Sequence, residues 1–391
     1  MAAVGVYGGE CVENHSAFIF DRGGMRRIGP VVDLSSVKWE RGRDNVTSAT
    51  IRIEGDACAE QAAFVAAIRS HRHELVIYRG KDRVWEGPVH RVTSYGSYTE
   101  INARDVSEYL FHTPLTQAYD NRYPNTGIVT TRIGNIIDYE LTHGRSMVDA
   151  TGATVAIPAW ESLDPPLNVA PYVVIHHWPN EAQTSAYTMP YEMTVGAHLT
   201  NLARQSGIDW TVVGRAIHVW DVSRSLGRVG QLTEANFLDD VIVSEYGVDH
   251  AQAAYVIGQD GVYGGIVNPA YLDYYGPWTD ITTAFNEEGT TNPTAGELRS
   301  QASRNIAGRV PVPIEVRVPD NSGLVLDESL TINDLVPGVQ VPLRARINAR
   351  PLAQMQKIDH VVVSETSSGE TVQVTLTPTT RADSDVEPET P

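Results

Sequence analysis

The stretch His73 to Leu110, HELVIYRGKDRVWEGPVHRVTSYGSYTEINARDVSEYL, constrains the fold more than any other, because it is a run of short strand-forming segments divided by tight turns. Leu75, Val76, Ile77 and Tyr78 form a β-rich run, Gly80-Lys81-Asp82 turns it, and Val84, Trp85, Gly87 and Val89 return in the opposite direction. After a second turn at Gly96-Ser97, Thr99 to Asp105 places Ile101 and Ala103 on one face and Asn102 and Arg104 on the other, the alternation of a half-buried strand. A chain carrying this unit folds around paired strands.

The rest of the 391 residues leaves room for roughly two or three domains of about 150 residues each. The 32 glycines and 22 prolines punctuate short runs of β-branched and aromatic residues, so a mainly β protein is expected. A formal charge of −18 excludes a general nucleic-acid-binding surface, which needs clustered Lys and Arg to displace counterions. Solubility is the simplest account of that acidity. Cys11 and Cys58 make no disulfide framework and no C-x-x-C pair, and reduced thiols are expected. No run approaches the ~20 apolar residues of a membrane span, and the N-terminus lacks a basic region followed by an apolar stretch.

Three regions and a tail follow from the patterning. The first, 1–115, reads as strands with one helix: Ala49, Ile51 and Ile53 alternate, and Gly55-Asp56 precedes a helical stretch through Ile68 that plugs or flanks the strands. The middle region, 116–234, holds a helix over 126–141, where Val129, Ile133, Ile136, Ile137 and Leu141 form one apolar stripe, with Gly144 as its stop. From Ala150 to about Tyr191 the sequence is rich in Pro and aromatics and reads as elaborated loops with a short strand or two. Thr194 then opens a second helix, which Gly207 ends, and Ile208 to Trp220 reads as a hairpin around Gly214-Arg215. The third region, 235–380, returns to strands with an inserted helix, whose start is marked by the capping box Thr294 and Glu297. Its helix ends near Gly308; Leu335 to Val341 turns into a strand and Val372, Val374 and Leu376 alternate as the last one. The tail, 381–391, is acidic and unpatterned, and is expected to be disordered.

Enzyme signatures are absent: there is no G-x-x-x-x-G-K-[ST], H-E-x-x-H, G-x-S-x-G or EF-hand loop. Gly258 to Gly265 lacks a following helix and a phosphate-reading Lys, and reads as a strand turn. His71 and His73 have strand spacing, and His176-His177 lies among the loops, but no third metal ligand can be assigned, so these histidines are expected to meet solvent and no metal or cofactor is expected. Asp164, Glu181, Glu192 and Asp209 are scattered carboxylates with no signal that two converge as a hydrolase pair. The aromatic concentration Tyr255, Tyr263, Tyr271, Tyr274, Tyr275 and Trp278 supports three readings. They are an anchor for a partner chain, loop packing, and a stacking platform for sugars, and the partner interface leads them.

The strand pair Val76 to Val89, the following Ile101-Asn102-Ala103-Arg104-Asp105 and the aromatic segment after it resemble the barrel hairpins of tail hub (baseplate hub, minor tail) proteins of long-tailed bacteriophages. The segment TVGAHLTNLARQSGIDWTVVGRAIHVWD is similar to the helix-hairpin module between the two barrels of such hubs, and Leu335-Val336-Pro337-Gly338-Val339 to an element of their second barrel. The hub part of type VI secretion spikes is similar too. The resemblance implies a mainly β chain with α+β insertions, built as two tail-tube-like β-barrel domains separated by a small helix-hairpin module. It further implies a homotrimer whose six barrels continue the tail tube. Such a ring closes the tube, anchors tip proteins and fibres, and opens for DNA passage without bond chemistry. The partners it implies are the distal tail protein, other tail-tip proteins and the tape measure protein, with genomic DNA only in transit, in a virion tail tip assembled in the host cytoplasm. A receptor- or cell-wall-glycan-binding minor tail protein is the alternative, and a tail-associated glycosidase comes third. An internal echo, Pro88 to Ala103 against Lys357 to Val374, accords with two related halves.

Overall fold

Strand alternation builds the first region. The computed structural model describes residues 11–54, 59–116, 128–176, 194–206, 208–221, 224–245, 250–258, 261–269, 272–284, 293–306, 314–317, 322–326, 330–347, 350–378 and 383–384. In it β1 (His15–Asp21), β2 (Arg27–Val31), β3 (Leu34–Gly42) and β4 (Ser48–Glu54) precede helix α1 (Ala59–Ala67). Then come β5 (His73–Arg79), β6 (Asp82–Ser94), β7 (Tyr98–Arg104) and the short helix α2 (Glu108–Phe111). The hairpin read from the sequence is β5–β6, with Leu75 opposite Gly87 and Ile77 opposite Trp85. Ile51 of β4 faces Ile101 of β7, and both are fully buried. Helix α1 flanks β2 through Phe64, whose ring lies against Gly29.

The middle region has its own core. It runs α3 (Val129–Thr142), β8 (Arg145–Val148), β9 (Thr154–Ile157), β10 (Val173–Ile175), α4 (Val195–Ser206), β11 (Ile208–Val213) and β12 (Ala216–Asp221). β11 and β12 form the expected hairpin, and β10 adds to β12 in parallel. The stripe Ile133, Ile136, Ile137 and Leu141 of α3 packs with Val195, Leu199 and Trp210. α3 ends at Thr142, two residues ahead of the stop expected at Gly144: His143 closes the last helical bond to Tyr139 O and itself turns extended. The expected helix features at Gly55-Asp56, Thr126 and Gly207 lie outside the described residues. The stretch read as loops with a short strand or two holds β9 and β10, and β9 pairs with β8 just ahead of that stretch as a hairpin.

The third region contains β13 (Leu232–Thr233), β14 (Ile242–Glu245), β15 (Ala253–Ile257), β16 (Tyr263–Val267), α5 (Leu272–Tyr275), β17 (Thr279–Thr283) and α6 (Ala295–Ile306). It continues with β18 (Ile314–Arg317), β19 (Gln340–Ile347), β20 (Arg350–Thr366), β21 (Gly369–Pro378) and β22 (Asp383–Ser384). The stop expected at Gly308 is outside the described residues. Two residues of the tail expected to be unpatterned, Asp383 and Ser384, instead pair with Ala353 and Leu352 of β20.

The first and third regions are joined edge to edge. Among the described residues they form a 12-stranded sheet in the order β13-β19-β20-β3-β4-β7-β6-β5-β1-β2, with β21 and β22 also on β20. The joint is the antiparallel pairing of β20 with β3, from His360 opposite Gly42 to Thr366 opposite Ser36. Trp39, Leu75 and Ile101 therefore share one core with Leu232, Val341, Val361 and Val374. The protein is mainly β, as expected. The sheet path does not close into a barrel among the described residues, since its ends β13 and β2 do not pair.

Candidate partner interface

An inserted unit carries the aromatic cluster. The chain leaves the third region along β14 and returns along β18, which pair antiparallel from Ile242 opposite Arg317 to Glu245 opposite Ile314. Between them β15 lies at the centre of a small sheet, with β16 antiparallel on one side and β17 parallel on the other. Helix α6 covers one face: Ala254 and Val256 pack with Leu298, Ala302 and Ile306 in a core of their own. The predicted capping box is formed, with Glu297 accepting from the N–H (2.7 Å) and hydroxyl (2.9 Å) of Thr294.

Period-2 alternation turns the other residues outward. In register they form three rows: Val267, Ala253 and Thr279; then Gly265, Tyr255 and Ile281; then Tyr263, Ile257 and Thr283. None carries a charge. Tyr263 is 61% exposed and Ile281 64%, although each would gain by burial. The Tyr255 ring lies over Gly265, where a Cβ would sit 2.6 Å from the ring carbon Cε1, so the glycine is what admits the ring. Tyr263 tilts against Tyr255 with centroids 6.0 Å apart. Trp278, 62% exposed, lies one residue ahead of β17; its carbonyl accepts from Ala253 N at 3.0 Å and its indole N–H donates to Tyr275 O at 2.7 Å.

The structure thus brings Tyr255 and Tyr263 together and leaves Trp278 exposed just ahead of β17. Tyr275 packs instead on His250, with centroids 4.6 Å apart, while Tyr271 and the side chain of Tyr274 lie outside the described residues. Gly258 and Gly261 lie between β15 and β16, with Gly258 N–H bonded to Val262 O, and Gly264 and Gly265 are paired within β16. The three rows of the outer face hold no Asp, Glu, His, Lys or Arg, so what they offer is apolar area and two phenol hydroxyls. No alternating signal in the sequence could be trusted without the register; with it, positions 253, 255 and 257 fall outward together.

Titratable side chains gather instead where the three regions meet. Arg43, just past β3, bonds Asp209 of β11 at 2.9 Å and Asp359 of β20 at 2.7 Å, and Lys357 bonds Asp209 at 3.1 Å. Asp44 accepts the Trp210 N–H at 2.8 Å. Burial first, and then the nearby Asp209 carboxylate, push the Asp44 carboxyl up to about 7, against the pull of the Trp210 N–H and Arg43. A second cluster joins the first and middle regions: Glu74 accepts from Gly23 N (2.9 Å), the Tyr109 hydroxyl (3.0 Å) and Arg215. Burial raises Glu74 despite the Arg215 guanidinium. Arg41, fully buried, donates to Ile332 O and Val84 O, each at 3.0 Å, and to Leu335 O at 3.1 Å; burial lowers it to about 10, so it remains a cation at neutral pH.

The other candidate residues separate. Asp209 is engaged by Arg43 and Lys357, Asp164 offers its carbonyl to Arg72 at 3.4 Å, and Glu181 and Glu192 lie outside the described residues. His73 is part-buried rather than solvent-facing: its Nδ1 accepts Arg69 N–H at 3.1 Å and burial lowers its pKa, against Asp21. His71, at φ 60°, turns toward His90 and His112, with ring centroids 5.5 and 6.1 Å away. His176 meets His218 at 2.9 Å, and His177 is outside the described residues. Among the described residues no group of three His, Cys, Asp or Glu side chains is placed to hold a metal ion.

No protein-family model matches the sequence, and no curated protein matches it. Solved structures do. The chain is similar to the 43 kDa tail protein of prophage MuSo2 from Shewanella oneidensis, with 13% identity, a TM-score of 0.58, and coverage of 93% of this chain and 98% of that one. It is similar to prophage tail protein gp18 from Listeria monocytogenes, with 7% identity, a TM-score of 0.54, and coverage of 92% and 94%. A tail protein from Neisseria meningitidis is similar at 12% identity and a TM-score of 0.53, over 93% and 96% of the two chains. Over 92–93% of its length the chain has the fold of these tail proteins.

Proposed function

We propose that this chain is a structural component of a phage tail, and within it a tail-tip hub. The observation that carries the reading is the end-to-end likeness to the MuSo2 tail protein, which spans 93% of this chain and 98% of that one. In this reading the strands on either side of the β3–β20 joint belong to two tail-tube-like β-barrel domains, with β6–β7 and β20–β21 as their matching hairpins. The domains are 1–115 and 235–380, and 116–234 is the module between them. Three copies then form a ring of six such domains that closes the tail tube, anchors the distal tail protein, tip proteins and fibres, meets the tape measure protein, and opens for DNA in the virion. Of the scattered carboxylates a hydrolase could use, Asp209 is engaged by Arg43 and Lys357, which supports a role without catalysis. A sugar platform is less well supported, because the outer face around Tyr255 places no carboxylate, amide or guanidinium beside its rings. No helix among the described residues is long and apolar enough to cross a membrane.

Mass spectrometry of purified particles, with light scattering of the isolated chain, tests the proposal. The expected result is this chain in the tail fraction at three copies per tail. Its absence from tails, or a single copy per tail, overturns it.

A further inference from the structure

We infer that the seat of the middle region on the large sheet is a proton-dependent joint: one proton on the facing Asp44 and Asp209 carboxylates holds β11 against the β3–β4 connection, and its loss loosens that contact. The device is a property of the single chain and does not depend on the tail role.

Charge does not balance in this joint. Three carboxylates, Asp44, Asp209 and Asp359, meet two cations, Arg43 and Lys357. Both cations are committed elsewhere: Arg43 bonds Asp209 at 2.9 Å and Asp359 at 2.7 Å, Lys357 bonds Asp209 at 3.1 Å, and the Arg43 guanidinium stays 3.9 Å from Asp44. Asp44 is the carboxylate left over. Its close donor is the Trp210 N–H at 2.8 Å, and its own N–H donates to Trp210 O at 2.9 Å. Trp210 follows Asp209 in β11, so a charge on Asp44 repels the neighbour of its own anchor. A half-buried charge without a close counter-charge is costly, and a proton removes it.

The other titratable groups packed here do not supply the missing charge. From β12, His218 lies opposite Thr211 on the Asp209 side of the hairpin, but burial, and then His176, lower it to about 4, so it is uncharged at neutral pH. From β20, His360 lies opposite Gly42 and faces Glu40, 3.7 Å away. Asp44, raised to about 7 by burial and then by Asp209, is the group placed to exchange a proton near neutrality.

The second charged joint of the middle region is balanced. Glu74 bonds Arg215 and Glu86 bonds Arg83, with Arg215 also 3.7 Å from Glu86. Burial raises both carboxylates, yet ionising them leaves no surplus charge, because each touches a guanidinium. A rise in pH therefore acts on one fastening and spares the other, so β11 can lift at Asp209 while the β11–β12 turn stays anchored at Arg215. That is a hinge. The sign follows from the Asp44 carboxyl, 3.8 when free and about 7 in the closed joint. Between those values the closed joint holds a proton that the open one has lost, so opening is rarest below pH 4, grows about tenfold per pH unit toward 7, and levels off above.

Amide exchange of the isolated full chain, followed by peptide and corrected for the intrinsic rate at each pH, tests the joint. From pH 5.5 to pH 8, protection over 208–213 should fall by about tenfold or more. The segment around Gly23, whose N–H rests on Glu74, should change by less than about threefold. Asp44→Asn keeps an acceptor for the Trp210 N–H and should hold protection constant over that range. Asp209→Asn should lower protection at both pH values and also flatten the pH dependence, which a purely structural contact would not do. The inference is overturned if protection over 208–213 does not change with pH, if the change survives Asp44→Asn, if His360→Gln abolishes it instead, or if the Gly23 segment loses protection in step.

Discussion

The substitution Asp209→Asn asks whether the junction of the three regions is held by charge. Asp209 is 2% exposed, and its two oxygens engage Arg43 at 2.9 Å and Lys357 at 3.1 Å. Asparagine keeps the shape and removes the charge. Taking away one partner of a buried pair costs about 3–5 kcal/mol, whereas an exposed pair contributes about 0–1 kcal/mol. Two features reduce the loss here: Arg43 keeps Asp359 at 2.7 Å, and Asp44 no longer faces a second carboxylate. A loss of about 2–3 kcal/mol is therefore expected at pH 8. Urea unfolding followed by tryptophan fluorescence is a suitable assay, because Trp210 is fully buried next to Asp209. Adding Lys357→Met should cost less than the sum of the two single changes by about 1 kcal/mol, since both remove the same contact. A loss below about 0.5 kcal/mol at unchanged denaturant slope would refute the charge argument and assign the junction to apolar packing.

Asp44→Asn should act in the opposite sense, and its pH profile is informative. The carboxyl is raised from 3.8 to about 7, so between those values the folded chain binds more protons than the unfolded one. Its contribution is full below pH 4, falls as pH rises toward 7, and is flat above. Asparagine suits the left-handed backbone there (φ 59°), so the variant should flatten the slope over pH 4–7 and be neutral or stabilising at pH 8; destabilisation at pH 8 with the slope intact would sink the assignment. Gly338→Ala meets both a φ of +92° and the Trp220 ring, 2.2 Å from the new Cβ, and should cost more than about 2 kcal/mol; an unshifted melting curve would refute it. Thr294→Ala removes half of the α6 capping box and should cost about 1 kcal/mol. Amide exchange should show that loss in α6 and not in β20, and equal effects in both would contradict a separate core for the inserted unit.

What the sequence displayed was local. The stripe Val129, Ile133, Ile136, Ile137 and Leu141 sufficed for α3, because one buried helix face leaves a 3.6-residue signature. The hairpins β5–β6 and β11–β12 were equally legible from turn residues between alternating runs. The β8–β9 hairpin was not: with Met147, Val148 and Val155 all exposed, neither face is buried and no alternation exists to be read. The β3–β20 joint was invisible for a different reason, since an edge pairing between distant segments leaves no mark within either one. Density of aromatics could not show which of them meet: Tyr255 and Tyr263 pack on each other, while Tyr275 turns to His250.

Charge was the most misleading guide, and it explains why the regions read as separable. Arg41, Glu74 and Asp209 sit in strands where a charged residue ordinarily marks the solvent side, yet each is buried. Burial is tolerable because every one meets a partner from another region: Arg41 the carbonyls before β19, Glu74 the Arg215 guanidinium, Asp209 both Arg43 and Lys357. A charge whose partner lies in a distant segment looks like surface in the sequence and acts as a joint in the fold. The converse holds for the inserted unit, whose uncharged outer residues look like core and stand in solvent. In an acidic chain both inversions run against composition: charge joins the regions in the interior, and an uncharged set of residues faces solvent on the inserted unit.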